Sequence, residues 1–109
     1  MVKTKNQINK TISSFVKDIS KKYEVTQAIL FGSYAYGKPK ETSDIDLAIV
    51  SPSFRGKSEM KILQYLSRQA MKIDTALEVL AFTPEEFRNP DPRSFTYHVK
   101  KNGVLIKLH

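Results

Sequence analysis

The sequence predicts an α/β (α+β) fold, a small mixed β-sheet covered by helices, from three observations. Apolar residues recur at helical spacing over residues 8–23 and again over 60–70. Short apolar or β-branched runs at 25–31, 44–50 and 76–82 each stop at turn or cap chemistry. Helical and extended segments follow one another in the order helix, strand, strand, helix, strand, helix, helix, strand, which calls for a sheet layered by helices.

The first helix follows from Ile8, Ile12, Phe15, Ile19 and Tyr23, with Val16 beside them, an amphipathic stripe running from about Lys5 to Lys22. Thr4 and Gln7 have the spacing of a capping box at its start. Val25 to Phe31 reads as a buried strand that stops at Gly32-Ser33, where a short helical turn begins. Residues 38–43 form a polar turn containing proline, and Asp44 to Val50 is a second strand closed by Ser51-Pro52. Met60, Leu63, Leu66 and Ala70, flanked by Ile62 and Tyr65, place a second amphipathic helix over Ser58 to Met71, with Gly56 and Ser58 at its start.

Ala76 to Phe82 is a third strand. Thr83-Pro84-Glu85-Glu86 has a capping residue, proline at the first helical position and glutamate at the third, so a helix begins there. Phe95 and Val99 lie one turn apart on a short helix that Gly103 ends, and Val104 to Leu108 makes a last strand. Phe31, Phe82, Phe87 and Phe95 are assigned to the core. The 109 residues contain no repeat, low-complexity tract or linker, so residues 1–109 are read as a single domain.

Composition narrows the chemistry. The chain has no cysteine, which excludes disulfides, thiolate zinc sites and cysteine nucleophiles. Its two histidines, His98 and His109, stand apart from any cluster of ligands, which argues against a histidine metal site. No apolar run approaches the roughly 20 residues of a membrane-spanning helix, and the basic N-terminus lacks a secretory apolar stretch, so a cytoplasmic location is expected. The net charge is +7, concentrated in residues 1–22, where six lysines face one aspartate. Without interleaved aromatics these lysines read as a solvated helix face, and nucleic acid is not the primary partner.

The informative stretch is Gly32-Ser33-Tyr34-Ala35-Tyr36-Gly37 followed by Ser43-Asp44-Ile45-Asp46-Leu47. Strand alternation puts Asp44 and Asp46 on one face and Ile45, Leu47 and Ile49 on the other. Two carboxylates that close repel each other, and a divalent cation relieves the repulsion. Hard oxygen ligands select magnesium or manganese, which take substrate phosphates as further ligands. A glycine and a serine opening a helical turn offer backbone N–H groups and a hydroxyl to an anion. Beside a metal site they would hold the β- and γ-phosphates of a nucleoside triphosphate while metal acts on the α-phosphate. Gly37 gives a tight exit from that turn.

A third acid is then needed. Glu78 stands within an otherwise apolar strand, where an unpaired acid is costly. Asp74 competes for the role, although its place at the strand entrance is that of a turn or cap residue.

Gly32-Ser33, ten intervening residues and Asp44-Ile45-Asp46 resemble the signature of the DNA polymerase β-type nucleotidyltransferase superfamily. The size and the Thr83-Pro84-Glu85-Glu86-Phe87 run are similar to its minimal nucleotidyltransferases. The resemblance implies the nucleotidyltransferase (polymerase β-like) fold, with Asp44, Asp46 and Glu78 binding Mg2+ as catalytic carboxylates and Gly32 and Ser33 binding the triphosphate of ATP. The third acid is commonly aspartate in the superfamily and is glutamate here. The resemblance further implies a HEPN-domain toxin as partner, in a type VII-like toxin-antitoxin pair. This chain would be the antitoxin, moving AMP from ATP to a tyrosine hydroxyl of the toxin in a homo- or hetero-oligomer.

Other readings accompany these. A non-catalytic module could neutralise its partner by occlusion, and the same signature occurs in enzymes that modify small molecules. Tyr34 and Tyr36 could stack on a base or receive a nucleotide, but read first as packing or surface residues of the short helix. Lys38, Lys40, Arg55 and Lys57 are solvated loop cations or phosphate neighbours, and His98 reads as an ordinary helix residue.

Overall fold

The computed structural model describes residues 2–108, so His109 lies outside the described residues. Helix α1 spans Lys5–Ile19, and its capping box forms as the spacing of Thr4 and Gln7 predicts. Strand β1 is Gln27–Phe31, and a single helical turn, α2, covers Ser33–Tyr36. Strand β2 is Ile45–Val50, followed by a 3-10 turn at Pro52–Phe54 and helix α3 at Glu59–Ile73. Strand β3 is Leu77–Phe82, α4 is Pro84–Arg88, α5 is Phe95–Asn102 and β4 is Val104–Ile106.

The sheet order is β3-β2-β1-β4. β1 pairs antiparallel with β2 and β4, and β2 pairs parallel with β3 through the α3 crossover, so the sheet is mixed as predicted. Its two faces bury different partners. Ile8, Ile12, Phe15 and Ile19 of α1 and Ile62, Leu66 and Ala70 of α3 pack on Leu30, Ile45, Leu47 and Ile49. On the opposite face Phe87 of α4 and Val99 of α5 cover Ile29, Phe31, Ala48 and Val50. That second layer is the thinner one, and it stops short of the N-terminal end of β2, where Asp44 and Asp46 emerge.

Several boundaries differ from the sequence reading. α1 ends at Ile19 rather than Lys22, because the chain turns there with the Tyr23 N–H bonded to the Ile19 carbonyl. Tyr23 is still buried, its ring edge-on to Phe54 and Tyr65. β1 begins at Gln27 rather than Val25, and β4 ends at Ile106 rather than Leu108, since its pairing with β1 runs out at Ala28. Met60 is 70% exposed, so the buried stripe of α3 is Ile62, Leu66 and Ala70. Phe95 is 58% exposed and is not a core residue: it opens α5 at the rim of the thin layer.

Phe15 is fully buried between α3 and the sheet. Phe15→Ala is expected to cost about 3–5 kcal/mol of unfolding free energy, whereas Met60→Ala stays within about 0.5 kcal/mol. Urea unfolding of the two variants checks the reassigned stripe.

Candidate active site

Register brings the predicted acids together. Asp46 on β2 faces Glu78 on β3 across the parallel pair and Phe31 on β1 across the antiparallel pair. Asp44 lies one residue before β2, and its carboxyl is hydrogen-bonded to Glu78. Asp44 and Glu78 are exposed and Asp46 is half-buried, so the carboxyls form an open acidic face. Asp74 is placed elsewhere. It caps the C-terminus of α3, and its side chain accepts a hydrogen bond of 2.9 Å from the Ala76 N–H, the turn role foreseen for it.

The charges that act on Asp46 and Glu78 are those of neighbouring carboxyls. The hydrogen bond to Asp44 holds the Glu78 carboxyl above the usual carboxylate range, and burial and the charges of Asp44 and Asp46 push the same way. Burial, then the charge of Asp44, raises Asp46. Every influence on these two groups disfavours ionisation.

Gly32 joins this acidic face to the turn that follows β1. Its φ of +74° with ψ of −158° is a conformation that glycine alone adopts readily. A Cβ there would also fall 2.1 Å from Asp46 Oδ2. The backbone at Gly32 therefore lies directly against the Asp46 carboxylate. Within α2 the N–H groups of Ala35 and Tyr36 both donate to the Gly32 carbonyl. Those of Ser33 and Tyr34 precede the first helical hydrogen bond and have no partner inside the turn. Gly37 ends the turn, and its role is spatial: a Cβ would lie 2.9 Å from Ser33 Cα.

The donor set suits a hard divalent cation in chemistry, since the carboxyls of Asp44, Asp46 and Glu78 neighbour one another beside β2 and β3. It is not a closed cage. Among the described residues, no group of three acidic or imidazole side chains is arranged to hold a metal ion by itself. Magnesium suits such an incomplete set, because one or two carboxylates and substrate phosphates can share its coordination.

Of the remaining sequence candidates, Arg55 and Lys57 separate from this face. Arg55 follows the far end of β2 and is paired with Glu85, Nε to Oε1 at 2.7 Å and Nη2 to Oε2 at 2.5 Å. Lys57 Nζ sits 5.3 Å from the centre of the Tyr23 ring. Lys40 belongs to the turn before Asp44, its N–H donating to Ser43 Oγ. Tyr34 packs against the core, whereas Tyr36 is exposed. A cavity of about 500 Å³ lined by Thr26, Gln27, Val50, Phe87 and Arg88 opens at the other end of β1 and β2, away from the acids.

Residues 12–102 match the sequence model of the nucleotidyltransferase domain family. The chain belongs to this family. It is 34% identical over 103 residues to Putative protein adenylyltransferase MJ0141 of Methanocaldococcus jannaschii, an alignment covering 92% of this chain and 99% of that one. Putative protein adenylyltransferase MJ1379 of the same organism is 33% identical over 79 residues, covering 67% and 77%. The fold is shared with a crystal structure described as a putative nucleotidyltransferase from Sulfolobus solfataricus, at a TM-score of 0.68 and 21% identity, over 96% of this chain and 89% of that one.

Sequence reasoning did not foresee one set of contacts beside the Gly32-Ser33 turn. His98 Nε2 meets Tyr36 Oη at 3.0 Å, and the Phe95 ring stands edge-on to Phe31 with centroids 5.8 Å apart. The spacing of Phe95, His98 and Asn102 marks one helix face, but nothing local says that this face meets the Gly32-Ser33 turn.

Two outcomes test this geometry. Gly32→Ala is expected to lower unfolding free energy by about 1–3 kcal/mol, read by urea denaturation. The raised carboxyls give a sign as well. The folded state holds more protons than the unfolded chain, so stability falls as pH rises from the ordinary carboxylate range through the raised values. In chelator at neutral pH, Glu78→Gln is therefore expected to melt above the wild type, and the difference should shrink at pH 4; a lower melting point at neutral pH would contradict the repulsion.

Proposed function

We propose that this nucleotidyltransferase is a divalent-metal-dependent protein adenylyltransferase, in which Asp44, Asp46 and Glu78 are the catalytic and metal-binding carboxylates and Gly32 and Ser33 bind the triphosphate. The observation that carries the proposal is the packing of Gly32 against the Asp46 carboxylate. Whatever the Gly32-Ser33 turn binds lies beside the acidic face. An anion on that turn and acids next to it are compatible only if a cation lies between them.

The reaction follows from the arrangement. The N–H groups of Ser33 and Tyr34 and the Ser33 hydroxyl donate to β- and γ-phosphate oxygens, which directs the α-phosphate toward Asp44 and Asp46. A bound divalent cation supplies charge stabilisation at the phosphoryl oxygens and lowers the pKa of the attacking hydroxyl. The acceptor oxygen forms a bond to the α-phosphorus in line with the breaking bond to diphosphate, and the hydroxyl proton passes to water. AMP remains on the acceptor and diphosphate leaves.

A protein acceptor suits the open acidic face, which gives a small acceptor few walls. It also accords with the adenylyltransferase names of the relatives. The finer reading is that the acceptor is a tyrosine of a HEPN-domain toxin, with this chain as a single-domain antitoxin. It rests on the resemblance of the Gly32-Ser33 and Asp44-Ile45-Asp46 motifs to the minimal nucleotidyltransferases.

The test is label transfer from α-labelled against γ-labelled ATP with magnesium, in the presence of a co-purified partner protein. Protein-bound label is expected from the α position only, and Asp46→Asn is expected to reduce it by about 10²-fold or more while keeping the fold. Label from the γ position would make the protein a kinase. Undiminished transfer by Asp46→Asn would remove the acids from the mechanism, and neutralisation by an Asp44→Asn/Asp46→Asn variant would mean that the protein acts by occlusion.

A further inference from the structure

Helix α5 grips the Gly32-Ser33 turn from both sides. Phe95, at its start, lies edge-on to Phe31, the residue before Gly32. His98, one turn later, meets Tyr36, the last residue of α2, through a 3.0 Å hydrogen bond and edge-on rings with centroids 5.4 Å apart. The acids of β2 and β3 share the sheet face on which α5 lies, so a row runs across the molecule: Glu78, Asp46, Phe31 and then Phe95. Two large aromatic rings in this region remain in solvent, Phe95 at 58% and Tyr36 at 46% exposure.

The hydrogen bonds assign a direction to the Tyr36 hydroxyl. The Asn102 amide nitrogen lies 3.1 Å from His98 Nδ1 and 3.2 Å from the His98 carbonyl oxygen. An amide NH2 can only donate, so Nδ1 accepts and the neutral ring carries its proton on Nε2. Nε2–H then donates to Tyr36 Oη. The proton of Tyr36 is left for a ligand, on a hydroxyl that His98 and Asn102 hold in place.

We propose that the exposed ring of Phe95 and the hydroxyl of Tyr36 form the subsite for the nucleoside half of the nucleotide. The occupant is fixed by continuity: the nucleoside is bonded to the α-phosphate, which lies by Asp46, and Phe31, opposite Asp46, is the residue that Phe95 meets. The base stacks on Phe95, which is indifferent to base identity because every base has a π-face. Tyr36 donates its hydroxyl proton to a nucleoside acceptor atom. His98 and Asn102 are positioning residues. This inference rests on the nucleotide reading above, and its test separates the two.

The probes are α,β-methylene-ATP, its GTP counterpart and inorganic tripolyphosphate, each titrated with magnesium into the full chain by calorimetry. Wild type is expected to bind both nucleotide analogues more tightly than tripolyphosphate. Phe95→Ala should weaken both analogues by about tenfold, and Tyr36→Phe, which keeps the ring and its packing, should weaken the ATP analogue by about fivefold. Tripolyphosphate affinity should remain at the wild-type value in each variant.

Parallel loss of tripolyphosphate binding would overturn the subsite, because α5 would then serve only to hold the turn. Unchanged affinities would overturn it too, as would equal wild-type affinity for analogue and tripolyphosphate, and either result leaves the phosphate reading standing. Failure of wild type to bind any of the three would overturn the nucleotide reading and the subsite with it.

Discussion

The site depends on the contact between the Gly32 backbone and the Asp46 carboxylate. It exists because β1 and β2 pair with Phe31 opposite Asp46, so the residue after Phe31 must leave the sheet beside an acid. Glycine is required twice over there: only it adopts the positive φ readily, and any Cβ would enter the carboxylate. The turn and the acids thus form one unit. Displacing either moves the other.

The rest of the fold supplies rigidity around that contact. α1 and α3 bury one face of the sheet with Phe15, Ile12, Ile19 and Leu66, all fully excluded from solvent. The crossover through α3 makes β3 parallel to β2, which sets Glu78 opposite Asp46. The other face is covered only in part, by Phe87 and Val99, and the uncovered remainder is where the acids sit. The crowding of these carboxyls holds Asp46 and Glu78 above the usual carboxylate range, which detracts from stability at neutral pH.

The elements were legible because their signals are local. The stripe of Ile8, Ile12, Phe15 and Ile19, the capping boxes at Thr4 and Thr83 and the abrupt end of β1 at Gly32 each lie within a few residues. Boundaries were less legible where tertiary packing decides them. β4 stops at Ile106 because its pairing with β1 ends at Ala28, which Lys107 and Leu108 do not reveal. Met60 and Phe95 were misplaced for the same reason: hydrophobicity says that a side chain can be buried, and only the neighbouring elements determine whether it is.

By itself the sequence determined the helices and strands and a motif of one turn and two aspartates, because alternation along a strand fixes the side on which Asp44 and Asp46 stand. It left Glu78 and Asp74 as rivals. Tertiary structure set Glu78 against Asp44 and Asp46 and gave Asp74 to a turn, since strand register is a relation between segments that are distant in sequence. It also brought His98 to Tyr36 across 62 residues. No local pattern encodes such a contact, because it depends on where α5 packs on the finished sheet.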